Sequence, residues 1–379
     1  MQAEKPYFQG LDALRFFAAT LVIFHHIEQY KYWSGKESLW GNGFIDSLGH
    51  NPVSFFFVLS GFLITYLLLN ENDKQGKINI PFFYLKRILR IWPLYFLIAL
   101  IALFIVPLFS DNSFSQLPVL NDPLSLFALL FMLPNLLRVS FPTLIGANQL
   151  WSVGIEEQFY AFWPLLIRNC ISKIEKCLLV FIGLKMSGEL FLVALDQIYS
   201  QNWIDQLLQL YRLFPVEQLA IGGLGAAFLF NKNQKMLKLM SSKIAAITCS
   251  LLLVWWTIYP IHFYADSVLK AVAFLIIILQ VIKNPIIYKP LENRLLKHLG
   301  NISYGIYMWH CLVIAGLITI FDLVNWQNDL LLTISVVVLT VLVSHFSFSL
   351  LERPFLKLKS VYALRSRIRN KKSIAYAKP

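Results

Sequence analysis

The stretch Gly10–Ile27, GLDALRFFAATLVIFHHI, sets charged and imidazole side chains inside a run otherwise apolar enough to enter a bilayer. Its length is that of a membrane-spanning helix rather than a core helix. Ionisable groups in such a span are costly and by default mark a site. Arg15 and His26 are eleven residues apart. At about 100° per residue they leave a helix within about 20° of one another and about 16 Å apart along its axis. His25 points about 80° away from the Arg15 line. A fixed cation and an imidazole at two depths suit a long anionic cofactor threaded into a bundle. Two blander readings stand beside that one: Arg15 snorkels to an interface, and His26 is a packing residue with its polar atoms satisfied. Asp12, one turn before Arg15, is spaced to pair with it.

Similar apolar runs recur along all 379 residues, of which 57% are hydrophobic and 14% charged. Soluble domains carry about 25% charged residues. The expected fold class is all-α: a polytopic transmembrane helical bundle of about ten complete spans plus one partial or anomalous element. No small-residue cleavage site follows the first span, so it is expected to be retained. The formal charge of +12 sits in short stretches between spans and in the tail, where topology is set. No basic surface with aromatic platforms is evident outside the bilayer, so nucleic acid is not an expected partner. Cys170, Cys177, Cys249 and Cys311 are scattered without metal spacing, and no metal site is expected. Cys170 and Cys177 flank a short charged loop, with nothing in the sequence to argue that they pair.

Loop charges order the chain. Lys74, Lys77, Lys86, Arg87 and Arg90 mark a cytoplasmic stretch after the second span, at about 52–69. The loop at 110–122 holds Asp111 and Asp122 and no Lys or Arg, so it faces outward. Two apolar stretches follow, 123–137 and 151–167, yet only one full crossing fits before the basic turn at Arg168, Lys173 and Lys176. One of the two is therefore short, re-entrant or buried within the bundle. Later spans are expected near 178–196, 210–230, 244–259, 267–282, 302–321 and 330–350, with outward loops carrying Asp196, Asp205, His262 and Asp266. Both termini come out cytoplasmic. The expected division is a membrane domain over 1–356 and a short basic tail over 357–379, which includes Arg365, Arg367, Arg369, Lys371 and Lys372. The tail either rests on anionic lipid or serves topology alone.

Several stretches, in order, resemble acyltransferase-3 family integral membrane proteins, the group that includes bacterial polysaccharide and lipopolysaccharide O-acetyltransferases. LDALRFFAATLVIFHH is similar to the family's first-helix pattern of an arginine, ten residues and a histidine, and that spacing selects His26 over His25. FFVLSGFLI at 56–64, YLKRILRIWPLYF at 84–96, WSVGIEEQFYAFWPLL at 151–166, LGNISYGIYMWH at 299–310 and LERPF at 351–355 resemble further signatures. Arg87 and Arg90 fall on the matching arginines, and Glu156 and Glu157 on the acidic pair. Some family members carry an extracytoplasmic hydrolase-like domain, and the short stretch after LERPF is not expected to form one. A complete acyl relay then relies on the membrane unit alone or on a separate glycan-assembly partner.

The resemblance implies acetyl-coenzyme A (an acyl-CoA co-substrate) as donor, a hydroxyl of a cell-surface glycan or its lipid-linked precursor as acceptor, and a bacterial inner membrane location. Transfer to an alcohol needs a proton acceptor, and histidine, with an ordinary pKa near 6.5, suits that task. His26 is the expected acceptor. Arg15, Arg87 and Arg90 are the expected phosphate ligands, because guanidinium stays charged and offers paired donors. Glu156 and Glu157 are expected to orient or charge-balance His26 or Arg15, or to bind acceptor hydroxyls; alternatively one neutralises a buried arginine for folding alone. His310 is a site residue or a structural hydrogen-bonding one. Ser60 reads as a packing residue. Direct attack on the thioester and a two-step route through an acyl-enzyme both stay open. The rival function is a transporter or flippase of an anionic lipid-linked sugar, which would also bury charge. Inverted repeats would favour it, and none is visible.

Overall fold

A computed structural model describes residues 6–109, 122–136, 144–199, 201–259 and 265–359. Asp111, His262 and the basic tail beyond residue 359 lie outside the described residues. Every regular element among those described is helical, as expected. In chain order they are α1 (Leu11–Trp33), α2 (Gly43–Gln75), α3 (Ile80–Leu100), α4 (Pro123–Leu130), α5 (Leu150–Cys170), α6 (Ile174–Tyr199), α7 (Asn202–Arg212), α8 (Val216–Phe230), α9 (Gln234–Met240), α10 (Lys243–Ile258), α11 (Asp266–Lys283), α12 (Pro285–Leu291), α13 (Arg294–Asn301), α14 (Ser303–Leu323) and α15 (Asp329–Ser347). π-Helical turns extend α3 over Ile101–Ile105 and α15 over Phe348–Glu352.

Each segment expected to cross the bilayer contains a long helix or most of one. By length and apolarity six helical units among the described residues can span a membrane. The number rises to eight when α9 with α10, bent by 51°, and α11 with α12, bent by 85°, each count as one. The expected ten differ for two reasons. The expected spans at 151–167 and 178–196 form one unit, Leu150–Tyr199. α1 carries too many polar groups to qualify by composition. It is instead an interior helix, packed on α2, α13 and α14.

The shortened element is at 123–137. α4 has only eight residues, about 12 Å of helix against a hydrocarbon thickness of about 30 Å. Asp122 caps its start by accepting from the Ser125 N–H at 2.8 Å. Backbone carbonyls at and beyond its end are satisfied from neighbouring helices. Tyr95 donates to Leu129 O at 3.0 Å, and Gln158 donates to Met132 O at 3.1 Å. This is the condition under which broken backbone persists away from water. The second stretch forms the full helix α5, and Gly154 lets Pro134 approach it closely.

Two glycines determine how α2 meets α8. A Cβ at Gly61 would lie 1.8 Å from Leu219 O, and one at Gly222 would lie 1.9 Å from Val58 O. The helices touch backbone to backbone, as small residues permit in apolar surroundings. Trp163 of α5 donates to Thr65 Oγ1 at 2.8 Å, which fastens α5 to the same seam. Three expected loops instead contain short helices: α7, α9 and the pair α12–α13. α13 brings Gly300 against the Asp12 carbonyl. In the turn before α13, Glu292 accepts from the Gly10 N–H at 2.6 Å and from Tyr7 at 3.1 Å, and pairs with Lys297 at 2.7 Å. Gly10 adopts φ 80°, a left-handed conformation that glycine tolerates. Cys170 and Cys177 are disulfide-bonded across the turn between α5 and α6, with Cα atoms 6.2 Å apart.

Gly222→Ala is expected to lower thermal stability in detergent by about 3 kcal/mol or more, because a backbone oxygen occupies the new methyl position. Gly183→Ala, which meets nothing within 4 Å, should leave the melting temperature unchanged or slightly raised. Equal behaviour of the two variants would refute the close-approach account. Partial burial disfavours the charged form of Glu292, yet Lys297 and the Gly10 N–H outweigh it and hold its carboxyl below the ordinary range. Its contribution to stability should therefore be present above the ordinary carboxylate pKa and lost as pH falls through the lowered folded value. Solvent screening keeps it under about 1 kcal/mol. A melting series on the wild type and Glu292→Gln across acidic pH checks the sign.

Candidate functional site

Helix α1 presents Arg15 toward a cavity of about 220 Å³ enclosed by α1, α2, α3, α5 and α14. Arg87 and Arg90 enter it from α3, Ser60 from α2, Glu156 and Tyr160 from α5, and Tyr304 and Tyr307 from α14. The i,i+3 spacing of Arg87 and Arg90 puts both on one face of α3. Thus all three arginines singled out in the sequence reach one space, together with Glu156. The spacing-based pairing of Arg15 is also realised: its Nη1 donates to Asp12 Oδ1 at 2.8 Å.

The two glutamates have different surroundings. Glu156 Oε1 accepts from Ser60 at 2.8 Å and Oε2 from Tyr160 at 3.0 Å. Ser60 is therefore a polar partner of the site and not only a packing residue. Glu157, about 100° further round the helix, accepts from Trp92 Nε1 at 2.9 Å and does not line the cavity. Its Oε1 is buried without a partner among the described residues.

The cations are under-compensated. Among the described residues neither Arg87 nor Arg90 forms an ion pair with a carboxylate. Arg87 lies over the rings of Phe83 and Tyr160, each 5.7 Å from its guanidinium carbon. Its Nε is buried with no acceptor. Three guanidinium groups against the single carboxylate of Glu156 make the lining net positive. An N–H buried without an acceptor costs free energy unless a ligand supplies one.

His26 is not part of that lining. The connection runs along α14. Tyr307 lines the cavity and shares a 2.6 Å hydrogen bond with Ser152. Its ring lies 5.6 Å from that of His310, and His310 lies 5.0 Å from His26. His310 is fully buried, with Nδ1 2.6 Å from Tyr307 O. His25 faces away, toward α2: its Nδ1 is 2.9 Å from Ile45 O, and its ring occupies the space that a side chain at Gly49 would fill. The roughly 100° between adjacent histidines thus sends them to different neighbours, and His26 is the one beside α14.

The sequence reading overlooked two participants. Tyr307 lies within the LGNISYGIYMWH stretch without being singled out there, and no spacing rule shows that it bridges the cavity to His310. Glu352 follows α15 in a π-helical turn, with a buried Oε1 that has no partner. The turn packs on α3, so its carboxylate faces the arginine side of the bundle. A glutamate in an apolar span was the signal that singled out Glu156 and Glu157, and LERPF carried the same signal.

Comparison with known proteins identifies the family. Residues 8–346 match the Acyl_transf_3 model, described as an acyltransferase domain. A Staphylococcus aureus (strain COL) protein named a putative O-acetyltransferase is 28% identical over 377 residues, covering 93% of this chain and 58% of its own length. The peptidoglycan O-acetyltransferase OatA of Listeria monocytogenes is 25% identical over 373 residues, covering 93% of this chain and 56% of its own length. A Bacillus subtilis relative named YrhL is 27% identical over 379 residues, covering 92% and 55%. The chain therefore spans just over half the length of these curated relatives. No solved structure matches it significantly. With the family model covering most of its length and the arginines, glutamate and histidines of its motifs gathered around one bundle interior, the chain belongs to the Acyl_transf_3 acyltransferase family.

Proposed function

We propose that this chain transfers an acyl group, acetyl by preference, from acyl-CoA to a hydroxyl of a cell-surface glycan or its lipid-linked precursor. One observation carries the reading: Arg15, Arg87 and Arg90, the last of them exposed, converge on a partly open cavity whose one lining carboxylate is already hydrogen-bonded by Ser60 and Tyr160. Such a lining favours a multiply anionic ligand, and guanidinium forks suit phosphate oxygens. The cavity volume fits a phosphate-bearing segment rather than a whole nucleotide thioester. The relative from Listeria is named for peptidoglycan O-acetylation, which supports a surface glycan as acceptor class.

In this reading the thioester arm runs from the arginines along α1 and α14 toward His26, about 16 Å away along the helix axis. His26 accepts the proton of the acceptor hydroxyl as the oxygen attacks the thioester carbonyl. The carbon–sulfur bond breaks, and the departing thiolate takes the proton back from His26. Atoms and charge balance without a further reactant. Glu156 holds Ser60 and Tyr160 at the cavity wall and limits the net positive charge. Glu157 acts on Trp92 and thereby on α3, as a positioning residue. The loop charges support a multi-pass arrangement in the bacterial inner membrane with both termini cytoplasmic, which puts the arginine end on the side where acyl-CoA is available.

Arg87→Ala and Arg90→Ala should each raise the KM for acetyl-CoA at least about ten-fold, with a smaller change in acceptor dependence. Transfer of labelled acetyl groups in membrane vesicles measures both. Unchanged donor dependence would remove the arginines from donor binding. His26→Ala should lower transfer by a factor of about 100 or more while donor binding persists, and His25→Ala should do less. Equal acetylation by properly inserted wild type and His26→Ala would remove His26 as the proton acceptor.

A further inference from the structure

Three ligand-type side chains meet at the histidine end of the bundle. His26 of α1 and His310 and Cys311 of α14 are all buried, and one ligand atom from each lies within 4.8 Å of the other two. Their hydrogen bonds settle the tautomers. His310 Nδ1 is 2.6 Å from Tyr307 O, and a carbonyl oxygen only accepts, so Nδ1 carries the proton. His26 Nδ1 is 2.8 Å from Gln29 Oε1, again an acceptor. His310 therefore has its lone pair on Nε2, and so does His26 in the tautomer that donates to Gln29. Histidines that bind metal typically donate their other ring N–H to such an oxygen, which fixes ring orientation and raises basicity. Cys311 Sγ is 3.3 Å from His310 Nε2. Tetrahedral zinc with ordinary Zn–N and Zn–S bonds separates those two atoms by about 3.5 Å.

We propose that His26, His310 and Cys311 form a zinc site of two imidazoles and one thiolate, with the fourth position open. A borderline-soft nitrogen and sulfur set suits zinc rather than magnesium or calcium. The widest ligand separation, up to 4.8 Å, has to close by up to about 1.5 Å for tetrahedral zinc, through rotation of the side chains. Without metal the Cys311 thiol lies between His310 Nε2 and the Tyr30 hydroxyl, which donates its own proton to Asn148; zinc binding converts the thiol to thiolate and releases one proton per zinc. A file of imidazoles leads from the site toward the surface. The His25 ring is 4.9 Å from that of His26 and 6.2 Å from that of His50, and His50 is exposed. Cysteine spacing could not reveal the site, because its ligands come from two helices and only one is a cysteine.

One consequence rests on the function proposed above. A zinc ion takes the lone pair with which His26 would accept a proton, so metal binding and acyl transfer exclude one another, and zinc acts as an inhibitor. The site itself does not depend on that reading.

The test is zinc uptake by the purified full chain in detergent, without donor or acceptor, measured by equilibrium dialysis and elemental analysis. Wild type is expected to bind one zinc per chain and to release one proton per zinc. Cys311→Ser and His310→Ala should each weaken binding more than ten-fold, and Cys311→Ser should also abolish the proton release. Zinc-free melting curves identify any variant that has misfolded. Cobalt substitution supplies an independent reading: a sulfur-to-metal charge-transfer band is expected in wild type and absent in Cys311→Ser. No zinc bound by wild type, or equal uptake and equal cobalt spectra in folded Cys311→Ser, would overturn the site. In the vesicle assay zinc should inhibit wild type and spare Cys311→Ser. Stoichiometric uptake without inhibition would leave the site standing and count against His26 as the proton acceptor.

Discussion

A guanidinium inside an apolar bundle has no water to solvate it, and the interior of this protein is organised around that cost. Arg15 is offset by Asp12 one turn away on the same helix. Arg87 leans on two aromatic faces and keeps an N–H without an acceptor. Glu156 is held by Ser60 and Tyr160, so its charge is spread over two hydroxyls. The result is a cavity that is stable enough to form yet still short of negative charge. That imbalance is what an anionic ligand corrects.

The packing around the cavity follows from a second constraint, the need to satisfy backbone groups away from water. The eight-residue α4 can end at membrane depth because Tyr95 and Gln158 accept the role that water would have. Gly61 and Gly222 let α2 and α8 touch through their backbones. That contact fixes α2, which carries Ser60 into the cavity wall and Gly49 against His25. A structural seam and the candidate site are thus coupled through one helix.

Much of this was legible in the residues. Apolar runs and loop charge marked the helices, and the length of the stretch between Asp122 and Arg168 required one short element. The spacing from Arg15 to His26 separated the two adjacent histidines. Other parts were not legible because nothing local encodes them. Glu156 and Glu157 are neighbours in sequence, and only the packing of α5 against α2 and α3 turns one into the cavity and the other onto Trp92. α7, α12 and α13 were read as loops because short amphipathic helices between spans resemble charged linkers in composition. α1 was expected as a membrane-spanning helix with a site on one face, and its polar groups are tolerated because neighbouring helices surround it.

The sequence by itself determined the all-helical class, the family, the short element and the face of α1 that joins Arg15 to His26. The family follows from the resemblance of ordered motifs, and the others from periodicity, length or charge, which are properties of the chain taken locally. Tertiary structure alone decided that three arginines share one cavity, that Tyr307 and His310 connect it to His26, and that Cys311 joins the two histidines. Those are meetings between helices far apart in the chain. Their geometry is set by how close glycines let the backbones come and by which buried polar groups find partners, and neither is written in any single segment.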